Sequence, residues 1–214
     1  MTKAMNTFGK IAVTALLTIT LPVLTWGRKD LPEKGTAKVL VVGLHNNVKS
    51  NYYYKEQIAE QTGIQADSID HRYNNIFSEN IVNAGVGTHC RFISTKDDTS
   101  YENIISKIEV NGEGEECNSN LSALTPEELQ AALEHADADY LLVLNQHYLK
   151  WQSQPMRTVY HMVSYTLYDK NKKALYSGNQ HFASINLEKP EKVAQLSRKT
   201  TSKIASSVEK SLDL

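Results

Sequence analysis

Hydrophobic and β-branched residues concentrate in three consecutive runs, at positions 140–151, 158–168 and 174–185. Their Val, Leu, Ile and Tyr content suits a pleated, half-buried surface, so each run predicts a β-strand. In the second run one face would carry Val159, His161, Val163, Tyr165 and Leu167, and the intervening residues would form the other. The polar links at 152–157 and 169–173 predict a loop and a hairpin turn. The three runs therefore predict an antiparallel meander.

Shorter patterns precede this meander. The apolar run 37–44 predicts a buried strand, and positions 88–94 predict another. Apolar residues at three-four spacing predict a helix over 72–84 and a short helix over 99–110. Another short helix is expected over 55–61, before Gly63. The Gly-, Glu- and Asn-rich stretch 111–120 predicts a loop.

The clearest helix start lies at Thr125, a capping residue followed by Pro126 and then Glu128, which completes a capping box. Leu124 and Leu129 stand where a hydrophobic staple would place them. A closing amphipathic helix begins near Pro190. The predicted fold is α/β (α+β), with a single mixed sheet of about five strands, a C-terminal three-stranded antiparallel meander, and helices packed on the sheet.

The amino terminus has the pattern of an export signal. Lys3 and Lys10 precede the apolar stretch 11–24, which is too short to span a bilayer comfortably. Cleavage after Gly27 is expected, and an uncleaved anchor is the alternative. We expect a signal peptide over 1–27, a linker over 28–36 and one domain over 37–214, in the periplasm or secreted. No later segment predicts a transmembrane span.

Composition narrows the function classes further. The chain has 214 residues, of which 41% are hydrophobic, enough for one sizeable core. A formal net charge of -1 argues against a nucleic-acid binder, which usually carries a basic excess. Cys90 and Cys117 could pair in an oxidising compartment, or remain two unpaired buried cysteines.

Three local features resemble those of a known group of envelope proteins. These are the strand at 38–44 after an export segment, the Ala-Asp-Tyr-Leu-Leu entry at 138–142, and the hairpin of 165–169 and 174–177. On these features the chain resembles lipoprotein activators of penicillin-binding proteins, curli-secretion lipoproteins and the amino-terminal domain of the Tol-system periplasmic protein. It departs from them in lacking a lipobox cysteine, in having Gly43-Leu44 where Pro-Phe is usual, and in lacking a glycine in the hairpin turn. The resemblance implies the fold, the compartment and a binding role, and no catalytic residue.

Candidate chemistry is sparse. His135, Asp137 and Asp139 alternate across a predicted helix end, where the helix dipole alone favours a histidine. His147, His161 and His181 lie one on each meander strand and would form polar positions on an open face. The glycine and histidine motifs of common nucleotide-binding, hydrolase and metalloprotease sites are absent. We therefore predict no catalytic residue, cofactor or metal.

Two functional hypotheses follow. The first is an exported, non-catalytic binding or assembly module of the bacterial envelope, with an envelope protein as partner. Its candidate contact surface is Tyr148, Trp151, Tyr160, Tyr165 and Tyr168, so Tyr160→Ala or Tyr168→Ala should weaken capture without disturbing the fold. The alternative is a secreted hydrolase or metal-dependent enzyme using the strand histidines. The sequence indicates no oligomeric state.

Overall fold

The computed structural model describes residues 36–96 and 98–214. The expected signal peptide lies outside these residues, as does nearly all of the expected linker. In chain order the elements are β1 (Ala37–Gly43), β2 (Val48–Ser50), α1 (Lys55–Thr62), α2 (Ile69–Ala84), β3 (Cys90–Ser94), α3 (Glu102–Ile105), β4 (Glu109–Asn111), β5 (Asn118–Asn120), α4 (Pro126–His135), β6 (Tyr140–Gln152), β7 (Thr158–Asp169), β8 (Ala174–Ser184) and α5 (Pro190–Ser211).

The main sheet is mixed, with the strand order β3-β1-β6-β7-β8. β1 is parallel to both β3 and β6, whereas β6, β7 and β8 form an antiparallel meander. The second half of β6 also pairs in parallel with the short β2. A register shift between Leu144 and Gln146 leaves Asn145 as an extra residue in β6. These pairings confirm the mixed sheet and its C-terminal meander.

Helices cover the sheet on both faces, each with its own hydrophobic cluster. α2 and α5 pack on one face, the α2/α5 face, against residues such as Val39, Leu142 and Val163. α3 and α4 pack on the opposite α3/α4 face, against residues such as Leu40 and Val143. Consecutive residues of β1 and β6 therefore enter different clusters, which is why both strands are apolar in succession.

Local signals for α4 appear in the structure as expected. Thr125 Oγ1 accepts a hydrogen bond from the backbone N–H of Glu128 at 3.2 Å, and Glu128 Oε2 accepts one from Thr125 N–H at 3.0 Å. Leu124 and Leu129 are both buried. The capping box and staple predicted from the sequence are confirmed.

The segment between β3 and α4 differs from expectation. The helix expected over 99–110 is confined to a 3₁₀ turn, Thr99–Tyr101, and α3. β4 and β5 then form a small two-stranded sheet, in which β4 begins inside the expected helix and β5 lies in the stretch expected to be a loop. Gly112 permits this hairpin, because its φ is 81° and a Cβ there would lie 2.5 Å from the carbonyl oxygen of Glu116.

Candidate functional site

Exposed apolar side chains gather at the end of the meander where β6 finishes and β7 begins. We call exposed Tyr52, Tyr54, Met156 and Ile185, together with half-buried Trp151, the tip surface. Four of the six large hydrophobic side chains that are exposed in the described part of the chain belong to it. Exposed apolar side chains that gather at one end of a protein mark interaction sites more often than scattered ones do.

The tip surface is built around Trp151. Asn51 clamps the Trp151 backbone: its Oδ1 accepts from Trp151 N–H at 2.7 Å and its Nδ2 donates to Trp151 C=O at 3.1 Å. This clamp places the Tyr52 ring in a stack on the indole, with centroids 4.4 Å apart. The connection between β2 and α1 is thereby held against the last residues of β6.

Tyr148 and Tyr160, two other candidates from the sequence, lie near this end on the α3/α4 side of the meander. Tyr160 contacts His181 of β8 edge to face, with ring centroids 6.1 Å apart, and both tyrosines are half-buried. Lys150, the cross-strand partner of Tyr160, is exposed. This part of the sheet is therefore an open, mixed aromatic and polar face next to the tip surface.

Tyr165 and Tyr168 correct the expected contact surface, because both are buried, at 0% and 3% exposure. The Tyr165 ring lies under α5 and over Gly178, where a Cβ would stand 3.0 Å from its hydroxyl oxygen. The Tyr168 hydroxyl donates to the Ser119 carbonyl at 2.5 Å beneath the β4–β5 sheet. Neither side chain is available to a partner in this fold.

The strand histidines do not share an open face as expected. His147 and His161 are buried on the α2/α5 face, at 2% and 1% exposure, whereas His181 is exposed on the other side of the sheet. His147 stacks on Phe77 at 4.6 Å and His161 on Phe182 at 4.5 Å, measured between ring centroids. Burial lowers the pKa of His147 to about 3 and that of His161 to about 4. Both imidazoles are therefore neutral core groups.

His135, Asp137 and Asp139 do not converge on one site. His135 lies 3.8 Å from Asp98, Asp137 forms an ion pair with Lys38 at 2.7 Å, and Asp139 accepts from the backbone N–H of Lys38 at 3.0 Å. Across the described ranges, no group of three or more His, Cys, Asp or Glu side chains is arranged to hold a metal ion.

A second, polar feature was not foreseen from the sequence. β1 and β3 are neighbours, yet the chain leaves them toward opposite faces of the sheet, which opens a crevice at their carboxyl ends. The crevice encloses about 190 Å³, and its lining includes the His45–Glu102 pair, with Nε2 and Oε2 2.6 Å apart. It is small beside typical ligand pockets. The crevice could be predicted only from the order of the strands in the sheet, which no local sequence pattern indicates.

Both cysteines are free and buried in this structure. Cys90 begins β3 and pairs with Ala37 at the start of β1. The Cys117 carbonyl accepts a hydrogen bond from Asn145. Asn145 follows Leu144, which pairs with Gly43 at the opposite end of β1. Six residues of β1 therefore separate the two sites, roughly 20 Å along the strand, far beyond the reach of a disulfide. Of the two sequence alternatives, the structure has the unpaired one.

Within residues 36–96 and 98–214, no helix has the length and apolarity needed to cross a bilayer. No family model matches the chain, and no curated protein shows significant sequence similarity to it.

Several solved structures are similar to this one at low identity. The PelC dodecamer from Paraburkholderia phytofirmans is 13% identical, covers 78% of this chain and 86% of its own, and gives a TM-score of 0.36. The hypothetical protein CT253 from Chlamydia trachomatis is 10% identical; the match covers 81% of this chain and 96% of CT253, with a TM-score of 0.43. Lipoprotein GNA1162 from Neisseria meningitidis is 14% identical; the match covers 79% of this chain and 99% of GNA1162, with a TM-score of 0.37.

One of these structures is a lipoprotein by name. Likeness at this level carries no information about a ligand or partner. The particular groups named from the sequence motifs stay predictions.

Proposed function

We propose that this chain is an exported, non-catalytic module of the bacterial envelope that binds another envelope protein through the tip surface. The export pattern at the amino terminus supports the compartment. The observation that carries the binding role is the Trp151–Tyr52 stack, at the end of the molecule where Tyr54, Met156 and Ile185 are exposed. Aromatic residues and methionine are enriched at protein interfaces, and an anchored tryptophan is a frequent energetic centre.

The polar surroundings of the tip surface fit the same role. Lys49 and Lys150 are exposed on the adjacent strands β2 and β6, and Arg157 lies exposed in the loop beside Met156. An apolar centre with a polar rim is the usual anatomy of a specific interface. Tyr148 and Tyr160 lie half-buried on the α3/α4 side of β6 and β7, next to this end of the meander.

The enzymatic alternative has less support. It requires strand histidines that meet at an accessible point, whereas His147 and His161 are buried and His181 lies on the opposite face. A proton-transfer or metal-binding role needs such groups to reach a substrate or an ion.

The test is capture of partners from crosslinked envelope extracts, with full-length protein as bait. We expect the double variant Tyr54→Ser/Ile185→Ser to lose partners that the wild type retains. Val86→Ser is the matched control, because Val86 is also strongly exposed but lies after α2, away from the tip surface. Equal recovery of the same partners by all three baits would refute the proposal, as would retention of the full chain in the cytoplasmic fraction.

A further inference from the structure

β8 is an edge strand that is protected over only part of its length. It runs for 11 residues, pairs only with β7 within the described residues, and contains neither a charged residue nor a proline. A register shift at Leu175 and a hydrogen bond of 3.2 Å from Thr200 Oγ1 of α5 to the His181 carbonyl guard two points of the strand, and the rest of the edge is open. In an antiparallel pair every second residue of an edge strand directs its N–H and C=O outward. Proteins normally guard such an edge with lysine, proline, a bulge or a covering segment, because it is a template for another strand.

A basic groove runs beside this edge. Gln180 of β8 shares an open groove of about 390 Å³ with one side of α5, where Lys199, Lys203 and Lys210 lie among serines. All three lysines are exposed, and within the described chain none has a hydrogen bond or ion pair. The acids of α5 are engaged elsewhere, since Glu209 accepts from the His89 backbone N–H at 3.0 Å and Glu191 lies 3.9 Å from Arg72.

The spacing of the α5 lysines matches the length of a short strand laid beside β8. Lys199 and Lys210 are separated by roughly 16 Å along a helix axis, the length of about five strand residues. A strand added beside β8 would lie below these lysines. Every second side chain of that strand would point toward them, as side chains alternate between the faces of a sheet. Carboxylates at alternate positions would therefore complement the unpaired ammonium groups.

We propose that the β8 edge and the lysines of α5 bind an extended, acidic segment of a partner protein, which joins the sheet as an additional strand. Backbone hydrogen bonds to β8 supply affinity, and the lysines select for alternating carboxylates. The site is separate from the tip surface and does not depend on it. A second copy of this chain is disfavoured as occupant, because pairing β8 with β8 would bring two sets of unpaired lysines together.

The experiment uses fluorescence anisotropy with the full chain and a labelled peptide of alternating threonine and glutamate, matched in length to β8. Two control peptides are alternating proline and glutamate, which has the same charge but cannot form a strand, and alternating threonine and lysine. We expect the threonine–glutamate peptide to bind at least about tenfold more tightly than either control. Hydrogen exchange should show that it protects backbone amides of β8.

Substitutions separate strand addition from general charge attraction. Lys199→Gln/Lys203→Gln/Lys210→Gln should weaken binding of the threonine–glutamate peptide about tenfold. Lys49→Gln/Lys170→Gln/Lys189→Gln makes the same charge change away from the groove and should leave binding unchanged, as should the single tip-surface variant Tyr54→Ser. Equal binding of the proline–glutamate peptide, equal losses in both lysine triples, or unprotected β8 amides would each overturn the proposal.

Discussion

Nε2 of His147 lies 2.8 Å from Oδ1 of Asn74, in a polar network enclosed between the sheet and α2. Asn74 Nδ2 donates to the Leu44 carbonyl at 2.9 Å, so Oδ1 is the acceptor and the proton of His147 resides on Nε2. A second proton would have to sit on the buried Nδ1, which has no hydrogen-bond partner. The network therefore holds the imidazole in one neutral tautomer.

Acid should destabilise the protein through this histidine and His161. Their folded pKa values, about 3 and about 4, lie below the unfolded value of about 6.5, so only the unfolded chain takes up these protons between those limits. Stability is complete above pH of about 6.5 and falls as pH drops toward the folded pKa values. From pH ~7.5 to ~5 we expect a loss of about 2 kcal/mol per histidine in urea unfolding.

Replacement of the histidines tests this origin. His147→Phe/His161→Phe should flatten the pH dependence over this interval, even if the double variant is less stable at neutral pH. His89→Gln removes an exposed histidine and should leave the slope unchanged. A wild-type protein equally stable at both pH values would show that the buried imidazoles do not govern acid sensitivity.

Gly43→Ala should disrupt the same network from the side of β1. A Cβ at Gly43 would lie 2.2 Å from Cγ of Asn74, so α2 must move away or the Asn74 amide must leave its partners. We expect a loss of about 3 kcal/mol from overpacking and broken buried hydrogen bonds. Gly87→Asn is the control, since that site has a φ of 85° but open space, and asparagine tolerates this conformation. Losses of the same size in both would contradict the steric explanation.

Local patterns predicted those parts of the fold that depend on near neighbours. The capping box of Thr125 and Glu128 lies within one helical turn, and the alternation of β7 is a property of the strand itself. The alternation assigned His161 and Tyr165 to one face correctly but could not show that α2 and α5 cover it. That depends on contacts between β8, α2 and α5 that are distant in sequence.

The candidate site was predicted in part for the same reason. Trp151, Tyr148 and Tyr160 lie in the accessible part of the meander, whereas Tyr168 is covered by β5. The segment that covers Tyr168 had the composition of a loop, so nothing local indicated its position. Tyr52 was missed as a surface residue because its stack on Trp151 depends on the pairing of β2 with β6.

Tyr168 should therefore behave as a structural residue, in contrast to the expectation from the sequence. Its hydroxyl donates to the Ser119 carbonyl and lies 3.0 Å from Ser119 Oγ. Tyr168→Phe should cost about 1–2 kcal/mol and Tyr168→Ala about 3–5 kcal/mol in urea unfolding. Hydrogen exchange should show faster opening of β4 and β5 in Tyr168→Phe. Tyr160→Ala, at a half-buried position, should cost less than about 1.5 kcal/mol, and equal costs for the two alanine variants would contradict the assignment.

Both thiols should be free but unreactive in the folded protein. Burial raises the pKa of Cys90 to about 11, with the nearby Glu209 carboxylate adding to the effect, and burial also raises the pKa of Cys117. Protein purified from the envelope without reductant should take up iodoacetamide at both cysteines only after denaturation, because the thiolate is the reactive form. A reductant should leave the thermal midpoint unchanged. A disulfide would be demonstrated instead if the denatured chain resisted labelling until it was reduced, and if reductant lowered the thermal midpoint. Such a bond would require β3 and the segment after β4 to lie far closer than they do here.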